Sequence, residues 1–164
     1  MVIGFNFCPF AQREFEAGRV RYRVVNGTKK KAVIAAVTEE LRYLDNHEQV
    51  ATTLLVLADG WRDFYAYLAL LEIAQETLDD GGYVGMYQLA SFHPEYLFDG
   101  EDIDDPSHYT NRSPFPLIHI LREASIARAV ADNPDIEQIP ERNRLLARSK
   151  GLAFWQTLLA GHIP

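Results

Sequence analysis

Apolar and polar positions repeat with two different periods along this chain. Val20-Arg21-Tyr22-Arg23-Val24-Val25 alternates residue by residue and is β-branched, which predicts a strand over 20–25. Residues 52–57, TTLLVL, form a continuous apolar run, the pattern of a central strand covered on both faces. A third strand is predicted over 84–92 and is stopped by His93-Pro94. Between the strands the period lengthens. Val33, Ala36, Val37, Leu41 and Leu44 fall on one stripe of a helix over 29–44. Residues 64–78 read as a strongly apolar helix, capped by Asp63 and stopped by Asp79-Asp80-Gly81-Gly82. Strands that alternate with helices predict an α/β fold with a small, largely parallel, three-stranded sheet (β-α-β-α-β) flanked by helices.

The flanking segments are less regular. Residues 8–18 predict a short helix, with Pro9 at its first position and Gly18 at its stop. Asn26-Gly27-Thr28 suits a turn and helix cap. Residues 94–116 form a long polar loop carrying Glu95, Asp99, Glu101, Asp102, Asp104 and Asp105. Loops of this length are usually functional or mobile. A helix is predicted over 117–131, begun by Pro116 and ended by Asn133-Pro134. Another is predicted over 141–160, broken at Gly151. The expectation is a single domain over 1–164, its C-terminal helical part (117–164) packed on the sheet.

Composition narrows the function classes. The 164 residues carry 16 Lys+Arg against 23 Asp+Glu, a formal charge of -7. Nucleic-acid binding needs a basic surface that displaces counterions, so no nucleic-acid partner is expected. The single cysteine excludes an intrachain disulfide and every zinc site built on several thiolates. No run reaches the roughly 18 apolar residues of a membrane helix. The start, Met1-Val2-Ile3-Gly4-Phe5, lacks the basic region of a signal peptide. The expected location is the cytoplasm, with no membrane partner. The abrupt apolar start also reads as the tail of an element that begins earlier.

The candidate chemistry gathers at the predicted carboxyl edge of the sheet, where open parallel sheets bind ligands. His93 stands at a strand end, and Pro94 stops the strand there. The helix begun at Cys8 leads through Gly18 into the first strand, so its start is expected near the same edge. A cysteine at a helix N-terminus is acidified by the dipole. In the predicted helix over 117–131, His119, Arg122 and Glu123 are three or four residues apart and share a face. Prolines 114 and 116 rigidify the approach and hold Asn111 and Arg112, the latter suited to a carboxylate or phosphate. No Walker A, GxGxxG, HExxH, GxSxG or CxxC motif occurs.

Four segments stand in order: Asn6-Phe7-Cys8-Pro9-Phe10-Ala11, Ala90-Ser91-Phe92-His93-Pro94, Tyr109 to Pro116 with His119 and Leu121-Arg122-Glu123, and Ile139-Pro140-Glu141-Arg142-Asn143. Together they resemble a bacterial family of uncharacterised proteins, a domain of unknown function. The resemblance spans nearly the whole chain. It implies that Cys8, His93, Asn111, Arg112, His119, Arg122, Glu123 and Asn143 belong to the signature, and leaves His108 outside it. Members carry a longer N-terminal helix before the first motif. Cys8 to Arg13 is also similar to the active-site segment of omega-class glutathione transferases. That fold needs a proline before its third strand, and none occurs between Pro9 and Pro94.

Three functions follow as expectations. The first is a small-molecule enzyme acting on an anionic substrate. Cys8, His93, His119 and Glu123 would be catalytic, and Asn111, Arg112, Arg122 and Asn143 would bind substrate. In it a nearby imidazole lowers the pKa of the thiol. The second is a mononuclear zinc site from Cys8, His93 and His119. The third is a non-catalytic binding or assembly module in which the same residues pin the long loop.

Overall fold

The computed structural model describes residues 1–131 and 136–161. A short helix α1 (Ala11–Glu16) precedes β1 (Val20–Val25), α2 (Lys30–Asp45), β2 (Thr52–Leu57), α3 (Phe64–Asp80) and β3 (Tyr87–Phe92). After a 3-10 turn at Pro106–Thr110 come β4 (Leu117–Arg122), α4 (Glu123–Ala131), α5 (Ile139–Lys150) and α6 (Leu152–Ala160). The predicted helix end at Asn133-Pro134 lies outside the described residues.

The sheet has four strands in the order β1-β2-β4-β3. β1 and β2 pair in parallel through the α2 crossover. β4 pairs antiparallel with both β2 and β3. This corrects the three-stranded, largely parallel expectation: the sheet is mixed, and β4 separates β3 from β2. The residues behind the correction are 117–122. They form a strand, and only Glu123 onward is helical. The sequence Leu-Ile-His-Ile-Leu-Arg fits either period, since apolar residues occupy nearly every position. Pairing decided it, because β2 would otherwise leave one row of backbone donors and acceptors without a partner. Pro116 favours the same outcome, since it biases Phe115 toward extended backbone.

Alternation along the strands sorts the two faces. Leu55 and Leu57 of β2 and Ile118 and Ile120 of β4 are fully buried beneath α2 and α3. Val33, Val37, Leu41 and Leu44 of α2 and Tyr67, Leu70, Ala74 and Leu78 of α3 complete that core. Burying each of these large side chains stabilises the fold by about 1.5–3 kcal/mol. Asp63 caps α3 by accepting from the Ala66 amide at 2.7 Å, as its position predicted.

A second apolar cluster joins the chain termini. Phe7, Tyr109, Ala147, Trp155 and Leu159 pack together, and the Trp155 indole N–H donates to the Ala147 carbonyl at 2.8 Å. The predicted helix over 141–160 is thus two helices, broken at Gly151, whose φ of 78° is costly for other residues. α5 and α6 pack on the 3-10 turn and the N-terminal segment.

Two buried histidines order the long loop. His108 accepts from the Phe98 amide at Nδ1 (3.1 Å), and its Nε2 lies 2.8 Å from the Asp102 carbonyl. His93 makes the same pair of contacts to the Glu95 amide and the Trp61 carbonyl. Each ring therefore carries its proton on Nε2 and presents a bare Nδ1 to a backbone N–H.

Candidate functional site

A cavity of about 320 Å³ opens where the N-terminal segment, the end of β3, the long loop and the start of α5 meet. Val2, Phe7 and Cys8 come from the first segment, and Phe92 from β3. Phe98, Thr110 and Asn111 come from the loop; Ile139, Pro140, Asn143 and Arg144 come from α5 and its start. Each of the four motif segments singled out in the sequence thus contributes to one wall.

Local structure places Cys8 there without a helix dipole. α1 starts at Ala11 with Phe10 as its N-cap, so the expected helix over 8–18 is shorter and Cys8 precedes it. The preceding turn is held from outside. Asn6 adopts a left-handed φ of 52°, a region that asparagine tolerates better than most residues. The carbonyls on either side of the next peptide are both bound by α5. Arg142 donates to the Asn6 carbonyl, and the Asn143 amide donates to the Phe7 carbonyl at 2.6 Å. Cys8 is half-buried and in the reduced form.

His93 does not join Cys8. Among the described residues no hydrogen bond connects the thiol to either imidazole. Phe92 faces the cavity, and alternation turns His93 to the opposite side, under α3. There its ring lies 5.1 Å from Phe64 and 4.9 Å from Tyr67, and burial lowers its pKa. Its bonds to Trp61 and Glu95 engage both nitrogens.

His119 sits on β4 rather than on a helix, so it shares no helix face with Arg122 and Glu123. Its Nε2 donates to Thr52 Oγ1 at 2.6 Å, and that hydroxyl passes its own proton to the Ile120 carbonyl at 2.6 Å. Burial pushes its pKa down to about 4. Its ring is 6.1 Å from Phe92, so it backs the cavity wall without lining it.

Arg122 points to the other face of β4 and closes the end of α2. It donates to the Leu44 and His47 carbonyls, to the Val50 carbonyl at 3.0 Å and to the Tyr87 hydroxyl at 3.0 Å. Glu123 begins α4, and its backbone N–H donates to the Met86 carbonyl at 2.9 Å. Arg112 stacks on Tyr109 at 4.4 Å and donates from Nε to the Tyr96 carbonyl. Of the expected site residues, Cys8, Asn111 and Asn143 come together in the cavity. His93, His119, Arg112, Arg122 and Glu123 do not line it.

The charged residue in the wall is Arg144, which lies just outside the four sequence motifs. It contacts Glu101 at 3.4 Å and stacks over Phe98 at 5.0 Å. One turn further along α5, Arg148 contacts Glu101 at 2.8 Å and Asp105 at 2.9 Å. A signal for this existed: two arginines four residues apart on a helix, and a run of acids in the loop to receive them. Arg144 lines the cavity, and Arg112 and Arg122 do not. No helix among the described residues is long and apolar enough to cross a membrane.

Neither the curated proteins nor the solved structures contain a match to this chain. The family model described as "Protein of unknown function (DUF1415)" matches residues 1–157, and the chain belongs to that family.

Proposed function

We propose that this domain is a small-molecule enzyme of the cytoplasm whose substrate, an anion, enters the cavity beside Cys8. The observation that carries this reading is the meeting of all four motif segments in one wall. The core beneath α2 and α3 takes no residue from the first, second or fourth segment and only Ile118 and Ile120 from the stretch of the third. Phe7 and Tyr109 pack in the second apolar cluster, while Cys8, Phe92, Asn111 and Asn143 turn to the cavity. Cys8 brings a nucleophile's chemistry to the cavity, and Arg144 brings a positive charge. The roles of His93 and His119 change in this reading. They are positioning residues, since their nitrogens hold loop and strand.

The zinc alternative gains no support from the geometry. Among the described residues no three His, Cys, Asp or Glu side chains gather as a metal site. His93 would have to give up a backbone contact to bind one.

Cys8 is the only cysteine, so its alkylation is a site-specific readout. The intact protein is labelled with iodoacetamide in the presence of a panel of small acids, and bound compounds are expected to slow the reaction. Compounds that protect are then tested for turnover with Cys8→Ala as control. If no compound slows labelling, or if turnover survives unchanged in Cys8→Ala, the reading is wrong.

A further inference from the structure

Resting on that reading, we propose that the cavity selects small monoanions with an apolar body, carboxylates above all, and that Arg144 reads the charge. The polar groups in the wall differ in what they have left to offer. Asn143 gives its amide to Phe7 and takes Arg142 on Oδ1 at 3.0 Å. Thr110 donates to the Ser107 carbonyl at 2.9 Å and faces Asn111 Oδ1 at 3.2 Å. These groups hold the wall together.

Arg144 is different. Its contact to Glu101 at 3.4 Å is the longest of the ion pairs among the described residues. The other carboxylate oxygen of Glu101 is already 2.8 Å from Arg148. A guanidinium has five N–H donors, so one long, shared contact leaves several for a ligand. Its position over the Phe98 ring fixes the plane of the fork. A bound carboxylate takes the place of Glu101 on Arg144, and Glu101 keeps Arg148. α5 also begins in this wall at Ile139 and Pro140, so the positive end of its dipole adds to the same field.

The rest of the wall sets the body of the ligand. Val2, Phe7, Phe92 and Phe98 offer hydrocarbon and no hydrogen bonds. A neutral polar molecule loses hydration there without replacement. A cation meets Arg144, and a dianion finds a single arginine. A volume of about 320 Å³ is near the lower end of small-molecule sites, which span about 300–1,000 Å³. The ligand is therefore small, with one anionic end and an apolar remainder.

The test titrates the full chain with butyrate, benzoate and 3-phenylpropionate, each against its primary amide, and follows binding by calorimetry and by protection of Cys8 from iodoacetamide. The acids are expected to bind about tenfold or more tighter than their amides, the scale of a charge-assisted hydrogen-bond pair. Arg144→Gln should abolish that preference and leave the affinity for the amides as it was. Glu101→Gln, which removes the competing carboxylate, should strengthen binding of the acids. Equal binding of acids and amides, or a preference that survives Arg144→Gln, overturns the charge selection but leaves a small-molecule cavity standing. If no probe binds or protects Cys8, both readings fall.

Discussion

Asn143 on α5 donates its side-chain amide to the Phe7 carbonyl at 2.6 Å, across 136 residues of sequence. The contact is buried, and the neighbouring Arg142 braces it by donating to Asn143 Oδ1. It fixes the backbone one residue before Cys8, so the cavity exists only while α5 holds the N-terminal segment.

Asn143→Ala should therefore act in two ways. Leaving the buried Phe7 carbonyl unpaired is expected to destabilise the fold by about 1–3 kcal/mol. Cys8 should also be alkylated faster, because its segment is released. Urea denaturation and iodoacetamide kinetics measure the two effects. An alkylation rate equal to that of the unaltered protein would show that Asn143 does not position the thiol.

Glu40 is an ionised group with no exposure, on the inner face of α2. It accepts from Arg21 at 2.7 Å, Arg23 at 3.0 Å and Thr53 at 3.1 Å. Burial alone would raise its pKa, but the hydrogen bonds from Arg21 and Arg23 outweigh that and lower it. Glu40→Ala removes a carboxylate shared by two partly exposed arginines, of which Arg23 keeps Glu39, and is expected to cost about 1–3 kcal/mol. The same carboxylate makes stability fall with acidification below about pH 4.5, its ordinary value, as the unfolded chain takes up the proton first. A loss under about 1 kcal/mol by urea denaturation would mean that the arginines find other partners.

Arg122 joins the end of α2 to β4 and β3 through its four acceptors. Arg122→Met keeps much of the volume but strands several carbonyls, and should destabilise by about 2–4 kcal/mol. Arg122→Lys should recover only part of this, since an ammonium cannot span acceptors spread over two elements. Both variants should leave the affinity of the cavity for small acids unchanged at temperatures where they are folded. A selective loss of acid binding would return Arg122 to the site.

Stability should depend on pH between about 6.5 and 4 because of His93 and His119. Both imidazoles have lowered pKa values in the fold, the latter at about 4. Above pH 6.5 neither the folded nor the unfolded chain protonates them, and their contribution is constant. As pH falls through that window the unfolded chain binds protons that the fold resists, so stability drops. His119→Gln should flatten the slope of unfolding free energy between pH 6.5 and 4.5. An identical slope in the variant would assign the dependence elsewhere.

Local pattern determined much of this protein. The bounds of β1 and β2 follow from residue-by-residue alternation and from a short continuous run of Thr, Leu and Val that Asp59-Gly60 stops before a helix could form. The α2 stripe from Val33 to Leu44 and the Asp63 cap are equally local, because a helix satisfies its own backbone. The four motif segments were legible as a set, and the structure brings part of each to one cavity.

Only the tertiary structure decided the rest. Residues 117–122 suited both periods, and the unpaired edge of β2, which no local window contains, made them a strand. That single choice moved His119 from a helix face to a sheet face and sent Arg122 to the end of α2. The turn of backbone between Phe92 and His93 put adjacent residues on opposite sides, separating the expected thiol-imidazole pair. Arg144 owes its place in the wall to Glu101 and Phe98, more than forty residues away in sequence. Spacing along a chain fixes which side of an element a residue occupies, but partners distant in sequence decide what that side meets.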